Sequence, residues 1–465
     1  MESIALQSKK RLIGNRFAIR FHKDNIHTLA EGLKQYCSNM KIILVNYRYF
    51  ISGGPERYMF NVKEALEQRG HEVIPFSIKT SRNVESKYAK YFAENIGKSD
   101  AVFVHEYPKT LRTYCDLVSR EFYSFGVKHK LKRLIADTKP DVCYLLAYKR
   151  ALSPSVIDAC YEMGVPVINR ISDYNTVCGA CSLYHNGRFC TKCFEDNDRS
   201  CVSNRCLKGS MVFSLMRYLS IRFFRLKDFD KKIASYVCTN GFMEEVMLKR
   251  GYSAGKLNVI PTFFRENGET KQVDKTNVVK GKVKFLYIGN IDESKGIYDL
   301  IDALEKLRYK TDAFHLSIVG GLHKSENGKV LALLKDKGID DYVSFCPFRN
   351  DGKVFEYYLD SNVTILPARW PENLPNTLIE SLYFNRPVVV PHWGSFKYTT
   401  NEDVAFYYKP LSSESLAETL YKIISNQESI QEKVQACDKF FKVNFEEKQH
   451  INRLLSLFDA EIGKQ

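Results

Sequence analysis

The sequence predicts an α/β protein built from two doubly wound, Rossmann-like domains that face one another across a cleft. Three observations carry this. Short apolar runs recur along the chain with helical spacings between several of them. Many of these runs are followed by glycine or polar turns, the pattern of buried parallel strands. A polar stretch near the middle, 265–282, separates two such alternations and reads as a linker.

The first alternation begins at Met40. Residues 40–46 form an apolar run followed by Gly53-Gly54. Pro55 to Arg69 then carries Tyr58, Val62, Ala65 and Leu66 at helical spacing, with Gly70 as a stop. A second run follows at 71–76, completing a βαβ unit. Further strands are expected at 100–105, 141–147, 166–171, 233–239 and 258–261. The second alternation predicts strands at 283–288, 314–319, 343–347, 363–366 and 387–391, and helices at 297–307 and 376–383. The expected organisation is a basic extension (1–39), a first domain (40–264), the linker, a second domain (283–430) and a C-terminal helical segment (431–465). In doubly wound folds ligands sit beyond the carboxyl ends of the strands, which here places them in the cleft.

The chain has 465 residues, with 44% hydrophobic and 26% charged, an ordinary globular balance. Disordered, collagen-like and low-complexity classes are excluded. Its formal net charge of +15 predicts a partner of opposite sign: nucleic acid, an anionic membrane or a phosphorylated ligand. No run approaches the ~20 apolar residues of a membrane span, and the N-terminus shows no leader core, so a cytoplasmic location is expected.

Three motifs point to chemistry. The first is Trp370-Pro371-Glu372-Asn373-Leu374-Pro375-Asn376-Thr377-Leu378-Ile379-Glu380. It places one carboxylate in a loop after a strand and a second on the first turns of a helix. The amides of Asn376 and Thr377 at that helix start suit a phosphate. Glu380 suits the two hydroxyls of a ribose, and Glu372 those of a hexose; an ordinary N-terminal helix charge and a solvated glutamate explain the same pattern. The second is Gly289-Asn290-Ile291-Asp292-Glu293-Ser294-Lys295-Gly296, with Lys295 a point charge for a diphosphate. The third is Gly53-Gly54, where missing side chains admit close backbone approach.

Together these motifs resemble those of the retaining glycosyltransferases of family 4, of the bacterial polysaccharide-synthesis type, in the family's order and from Met40 to about Asn426. The resemblance implies the two-domain GT-B architecture and transfer of a hexose from a UDP- or GDP-sugar to a hydroxyl, with retention and no catalytic metal. It implies a glycan or lipid-linked glycan as acceptor, and it implies roles. Glu372 would contact the donor sugar, Glu380 the ribose, Lys295 the diphosphate, and Gly53 and Gly54 the sugar-phosphate from the opposite wall. Two departures stand out. Asn290 occupies a position that is usually arginine, and Ser172-Asp173 replaces a His-Asp pair, making Asp173 the candidate polar group near the acceptor. Competing readings are a nucleotide-sugar epimerase or hydrolase of the same fold, and a zinc-knuckle nucleic-acid-binding protein. Against the latter, the basic charge is spread along the chain, so nucleic acid is not the expected partner.

Six of the thirteen cysteines crowd between Cys178 and Cys206. The pairs Cys178-x2-Cys181 and Cys190-x2-Cys193 have the spacing of a structural zinc knuckle. An iron–sulfur cluster and unligated thiols remain alternatives. After them, 207–229 mixes Met211, Phe213, Leu215 and Leu219 with Arg217, Arg222 and Arg225. This basic amphipathic helix predicts either a peripheral contact with an anionic inner membrane face or a packed domain helix.

Overall fold

The computed structural model describes residues 39–464 apart from 104–105, 150, 196–197, 266–274, 278, 280, 321–323 and 348–353. The expected extension, but for residue 39, and most of the linker therefore lie outside the described residues.

In the first half, strand β1 (Lys41–Asn46) leads to helix α1 (Gly54–Glu67) and β2 (Glu72–Phe76). Helices α2 (Leu111–Phe122) and α3 (Phe125–Thr138) precede β3 (Val142–Ala147), α4 (Ser155–Glu162) and β4 (Val167–Ile171). A hairpin, β5 (Tyr184–His185) and β6 (Arg188–Phe189), sits within the cysteine-rich stretch. Then come α5 (Met211–Leu226), β7 (Ser235–Cys238), α6 (Gly241–Lys249) and β8 (Leu257–Val259). The sheet order is β2-β1-β3-β4-β7-β8, and every pairing is parallel.

The second half repeats the plan. It runs β9 (Val283–Gly289), α7 (Ile297–Arg308), β10 (Phe314–Gly320), α8 (Lys324–Asp336), β11 (Val343–Pro347), α9 (Val354–Asp360) and β12 (Val363–Ile365). Helix α10 (Asn376–Tyr383), β13 (Val388–Pro391), β14 (Ala405–Tyr408) and α11 (Ser413–Ser425) follow. The order is β11-β10-β9-β12-β13-β14, again all parallel. This is the GT-B arrangement of two facing six-stranded α/β units.

The central strands are buried along nearly their whole length, as helices on both faces of a parallel sheet require. Residues 100–103 form no strand, so that expected element is not seen over its described part. The last two helices divide between the halves. Helix α12 (Glu428–Asn444) buries Cys437 and Phe441 with α10 and β13, whereas α13 (Glu447–Ile462) buries Ile451, Leu454 and Phe458 beneath the first sheet. His450 on α13 bonds Tyr58 through Nε2 (3.0 Å) and Pro261 O through Nδ1 (2.6 Å). The chain thus returns to its first half after completing its second.

Candidate active site in the cleft

Lys295 and Glu372 meet: Nζ lies 2.5 Å from Oε1. Local structure fixes both. Asp292 accepts from the Lys295 amide (3.2 Å), closing the turn after β9. The next residue, Gly296, has φ +75, and a Cβ there would fall 1.8 Å from the Pro367 carbonyl oxygen. Only glycine fits, which accounts for the Lys-Gly pair. Arg369 then ties the two loops, donating its amide to Ser294 O and pairing with Glu293 and Asp299. The Lys295 ammonium also lies 5.4 Å from the Trp370 ring centre.

The loop carrying Glu372 is clamped by the first half. Tyr174 donates to Pro371 O (2.7 Å), and Asn373 accepts from Thr239 (2.6 Å) and donates to Ile171 O (3.2 Å). Asn240 also donates to Asn373 (2.9 Å). Glu372 and Asn373 are both buried. This Asn373 clamp was not singled out in the sequence; the run Glu-Asn-Leu-Pro carries no distinctive signal for it.

Helix α10 follows Pro375 and no side chain caps it; the Leu378 amide bonds Pro375 O (3.1 Å), which leaves the Asn376 and Thr377 amides at the helix start for a ligand. Asn376 is exposed there and touches the glycine loop opposite: a Cβ on Gly54 would lie 2.8 Å from Asn376 Nδ2. Thr377 Oγ1 lies 3.4 Å from Ile288 O. Glu380, one turn on, accepts from Tyr358 OH (2.8 Å). Burial raises its carboxyl above the ordinary range, against the lowering pull of Tyr358 and Arg57. Gly54, Arg57, Asn376 and Glu380 line one small cavity between the halves. Gly53 precedes α1 in extended backbone, and Asn290 is exposed at the end of β9, where Tyr287 OH bonds its carbonyl (2.7 Å).

Asp173 is exposed just beyond β4 and accepts from the Asn175 amide (2.8 Å). It borders a large chamber of about 870 Å³ in the first half. Lys149 lies in that wall, where burial first, then Arg217, pulls its ammonium down to about 7 despite Asp173 and Glu121 nearby.

Two expectations are corrected. The knuckle of Cys178, Cys181, Cys190 and Cys193 is not assembled: among the described residues, no three His, Cys, Asp or Glu side chains converge to hold a metal. Cys178 and Cys193 do hydrogen-bond one another. Cys181, however, has φ +66 and directs its sulfur to Gly179 O (3.8 Å) and Arg217 (3.9 Å). The second concerns α5, whose expected basic face is split: Arg222 is exposed, Arg225 half-buried and Arg217 turned inward. Arg217 is buried on Glu121 (3.0 Å) and Arg225 is drawn to Asp198 (2.8 Å), while Met211, Val212, Phe213, Leu215 and Leu219 are exposed. Among the described residues, no helix is long and apolar enough to cross a membrane.

The fold and this cleft define a two-domain GT-B protein. Residues 268–439 match the family model described as Glycosyl transferases group 1. An uncharacterized glycosyltransferase of Haemophilus influenzae is 31% identical over 145 residues, covering 31% of this chain and 40% of the relative. A lipopolysaccharide 1,2-N-acetylglucosaminetransferase of Salmonella typhimurium is 22% identical over 217 residues, 44% of this chain and 55% of the relative. The chain therefore spans about half the length of the curated relatives it matches. The structure of Anabaena HepE in complex with UDP superimposes with a TM-score of 0.58 at 12% identity, covering 90% of this chain and all of that one.

Proposed function

We propose that this chain transfers a hexose from a nucleoside diphosphate sugar to an acceptor hydroxyl, with retention of anomeric configuration. The observation that carries the reading is the Lys295–Glu372 pair, held by loops of the second half against the strand ends of the first. The pair is a resting arrangement. An arriving diphosphate takes the Lys295 ammonium, and the carboxylate of Glu372 turns to donor hydroxyls. The α10 amides face the same charge, so developing negative charge on the leaving diphosphate meets fixed donors. Glu380 suits the ribose hydroxyls. The resemblance to HepE, whose structure contains UDP, favours uridine as the base.

No carboxylate is placed as a nucleophile opposite Glu372 among the groups described above. Front-face transfer, in which a leaving phosphate oxygen takes the acceptor proton, requires none. Asp173 at the rim of the first half orients the acceptor. Work on the inner face of a membrane, with a lipid-linked glycan as acceptor, belongs to the same reading and is supported by the outward apolar side chains of α5.

The test is turnover of a UDP-sugar panel by wild type and Glu372→Ala. The variant is expected to lose transfer by at least about a hundredfold while keeping its circular dichroism and UDP affinity. Equal turnover overturns the assignment.

A further inference from the structure

We propose that the first half holds a small monovalent anion of chloride's size, bound between Lys149 and Arg217 in a cavity against α5. The site lies apart from the donor cleft: neither Lys295 nor Glu372 nor any residue of α10 lines it. It stands independently of the transferase reading.

The cavity measures about 20 Å³, room for one water-sized particle but not for a sulfate or a phosphate. It forms where four pieces of the first half meet: Glu121 near the end of α2, Arg217 and Arg225 on α5, Lys149 after β3 and Asn175 after β4. Phe224 adds an apolar wall, its ring centre 5.3 Å from the Lys149 ammonium. Charges in such surroundings act on one another more strongly than in water.

Two cations converge there on one oxygen. The Asn175 carbonyl accepts from Lys149 Nζ (3.2 Å) and from Arg217 Nη2 (2.9 Å). Like charges held so close repel, and a neutral carbonyl offsets neither. Arg217 has a carboxylate partner in Glu121 (3.0 Å), and Arg225 has one in Asp198 (2.8 Å). Among the described residues Lys149 has no such partner; Asp173 and Glu121 act on it only from beyond ion-pair distance. One positive charge is therefore left over. Burial first, then the Arg217 charge, pulls the Lys149 ammonium down to about 7.

Donors are left over as well. An ammonium carries three N–H groups, and Asn175 O takes one of them. Arg217 is 3% exposed, and its Nε is buried without a hydrogen-bond partner among the described residues. Buried donors left unpaired are costly. Donors around surplus positive charge suit a ligand that only accepts, and chloride is one: spherical, monovalent and without hydrogens. Water fits the same space but leaves the charge uncompensated. With the anion in place Lys149 stays protonated, and one ion ties α2, α5 and the loops after β3 and β4 together.

The experiment is differential scanning fluorimetry of wild type and Lys149→Met in rising sodium chloride. Ionic strength is held constant with sodium gluconate, whose anion is too large for the cavity. Wild type is expected to gain at least about 2 °C in melting temperature, saturably with chloride. Sodium bromide should reproduce the gain, and Lys149→Met should show none. A wild-type melting temperature that ignores chloride overturns the proposal, as does an equal gain in Lys149→Met. Crystals of wild type grown in sodium bromide decide the matter even where the variant does not fold. An anomalous peak between Lys149 and Arg217 supports the site, and its absence overturns it.

Discussion

Glu380 shows how a binding group is held at a cost to the free protein. Its carboxyl is raised by burial, so the folded state holds its proton more tightly than the unfolded chain does. The sign follows: this group's contribution to stability is complete below the unfolded carboxylate value and is lost as pH rises through the higher folded value. At neutral pH the ionised form is an expense that ribose hydroxyls would offset. Glu380→Gln is therefore expected to raise the melting temperature of the ligand-free protein slightly, by about 1–2 °C, and to weaken UDP. Differential scanning fluorimetry with and without UDP checks both signs, and a variant less stable than wild type contradicts the account. Lys295 behaves differently, because its partner Glu372 is already in place at 2.5 Å. Removing the ammonium strands a buried carboxylate, so Lys295→Ala should lose both nucleotide affinity and stability, read in the same assay.

At the scale of elements, much of the plan is legible in the sequence. The strands at 343–347 and the helix at 376–383 coincide with β11 and α10, and most others differ by one or two residues at their ends. Buried parallel strands announce themselves as uninterrupted apolar runs, and the run 141–147 is β3 but for one residue. Edge strand β14 lies in the run Val404–Tyr408, but a segment of four residues is too short for periodicity to separate strand from helix. Helix α5 was legible as amphipathic but not in its orientation. Periodicity shows that Arg217 and Met211 lie on different faces; it cannot show that Glu121, on a distant helix, draws the arginine inward. The cysteine spacing suffers from the same limit, since sulfur direction depends on the positive φ at Cys181. Gly296 tests the turn before α7. With φ +75 and the Pro367 carbonyl 1.8 Å from any Cβ, Gly296→Ala should cost on the order of 2–4 kcal/mol. It should also displace Lys295. Urea denaturation measures the first effect and UDP titration the second; a neutral substitution would mean the turn is not fixed by that contact.

The whole molecule is tied across its cleft from several directions. The Asn373 clamp and Tyr174 join loop to strand ends, Tyr398 OH reaches Glu245 (2.7 Å), and hairpin β5–β6 sets Phe189 against Trp393 (5.8 Å between rings). The cysteine-rich stretch therefore bridges the two halves, a placement that spacing alone does not reveal. Helix α13 completes the tie, with His450 buried in its first turn. Desolvation lowers this imidazole to about 3, so it folds neutral. Stability from the group is intact above pH 6.5 and is lost as pH falls towards 3, at up to about 1.4 kcal/mol per pH unit. Chemical denaturation at pH 7, 6, 5 and 4 should show that decline, and His450→Gln should flatten it. A wild-type profile no steeper than the variant's would contradict the role of His450.

The central claim is that the cleft holds a nucleoside diphosphate sugar through the second half's loops. Calorimetric titration of UDP into wild type and Lys295→Ala tests it most directly. The account predicts one UDP per chain for wild type and affinity at least about tenfold weaker for the variant. No heat from UDP or GDP with wild type, or equal affinity in both proteins, would contradict it.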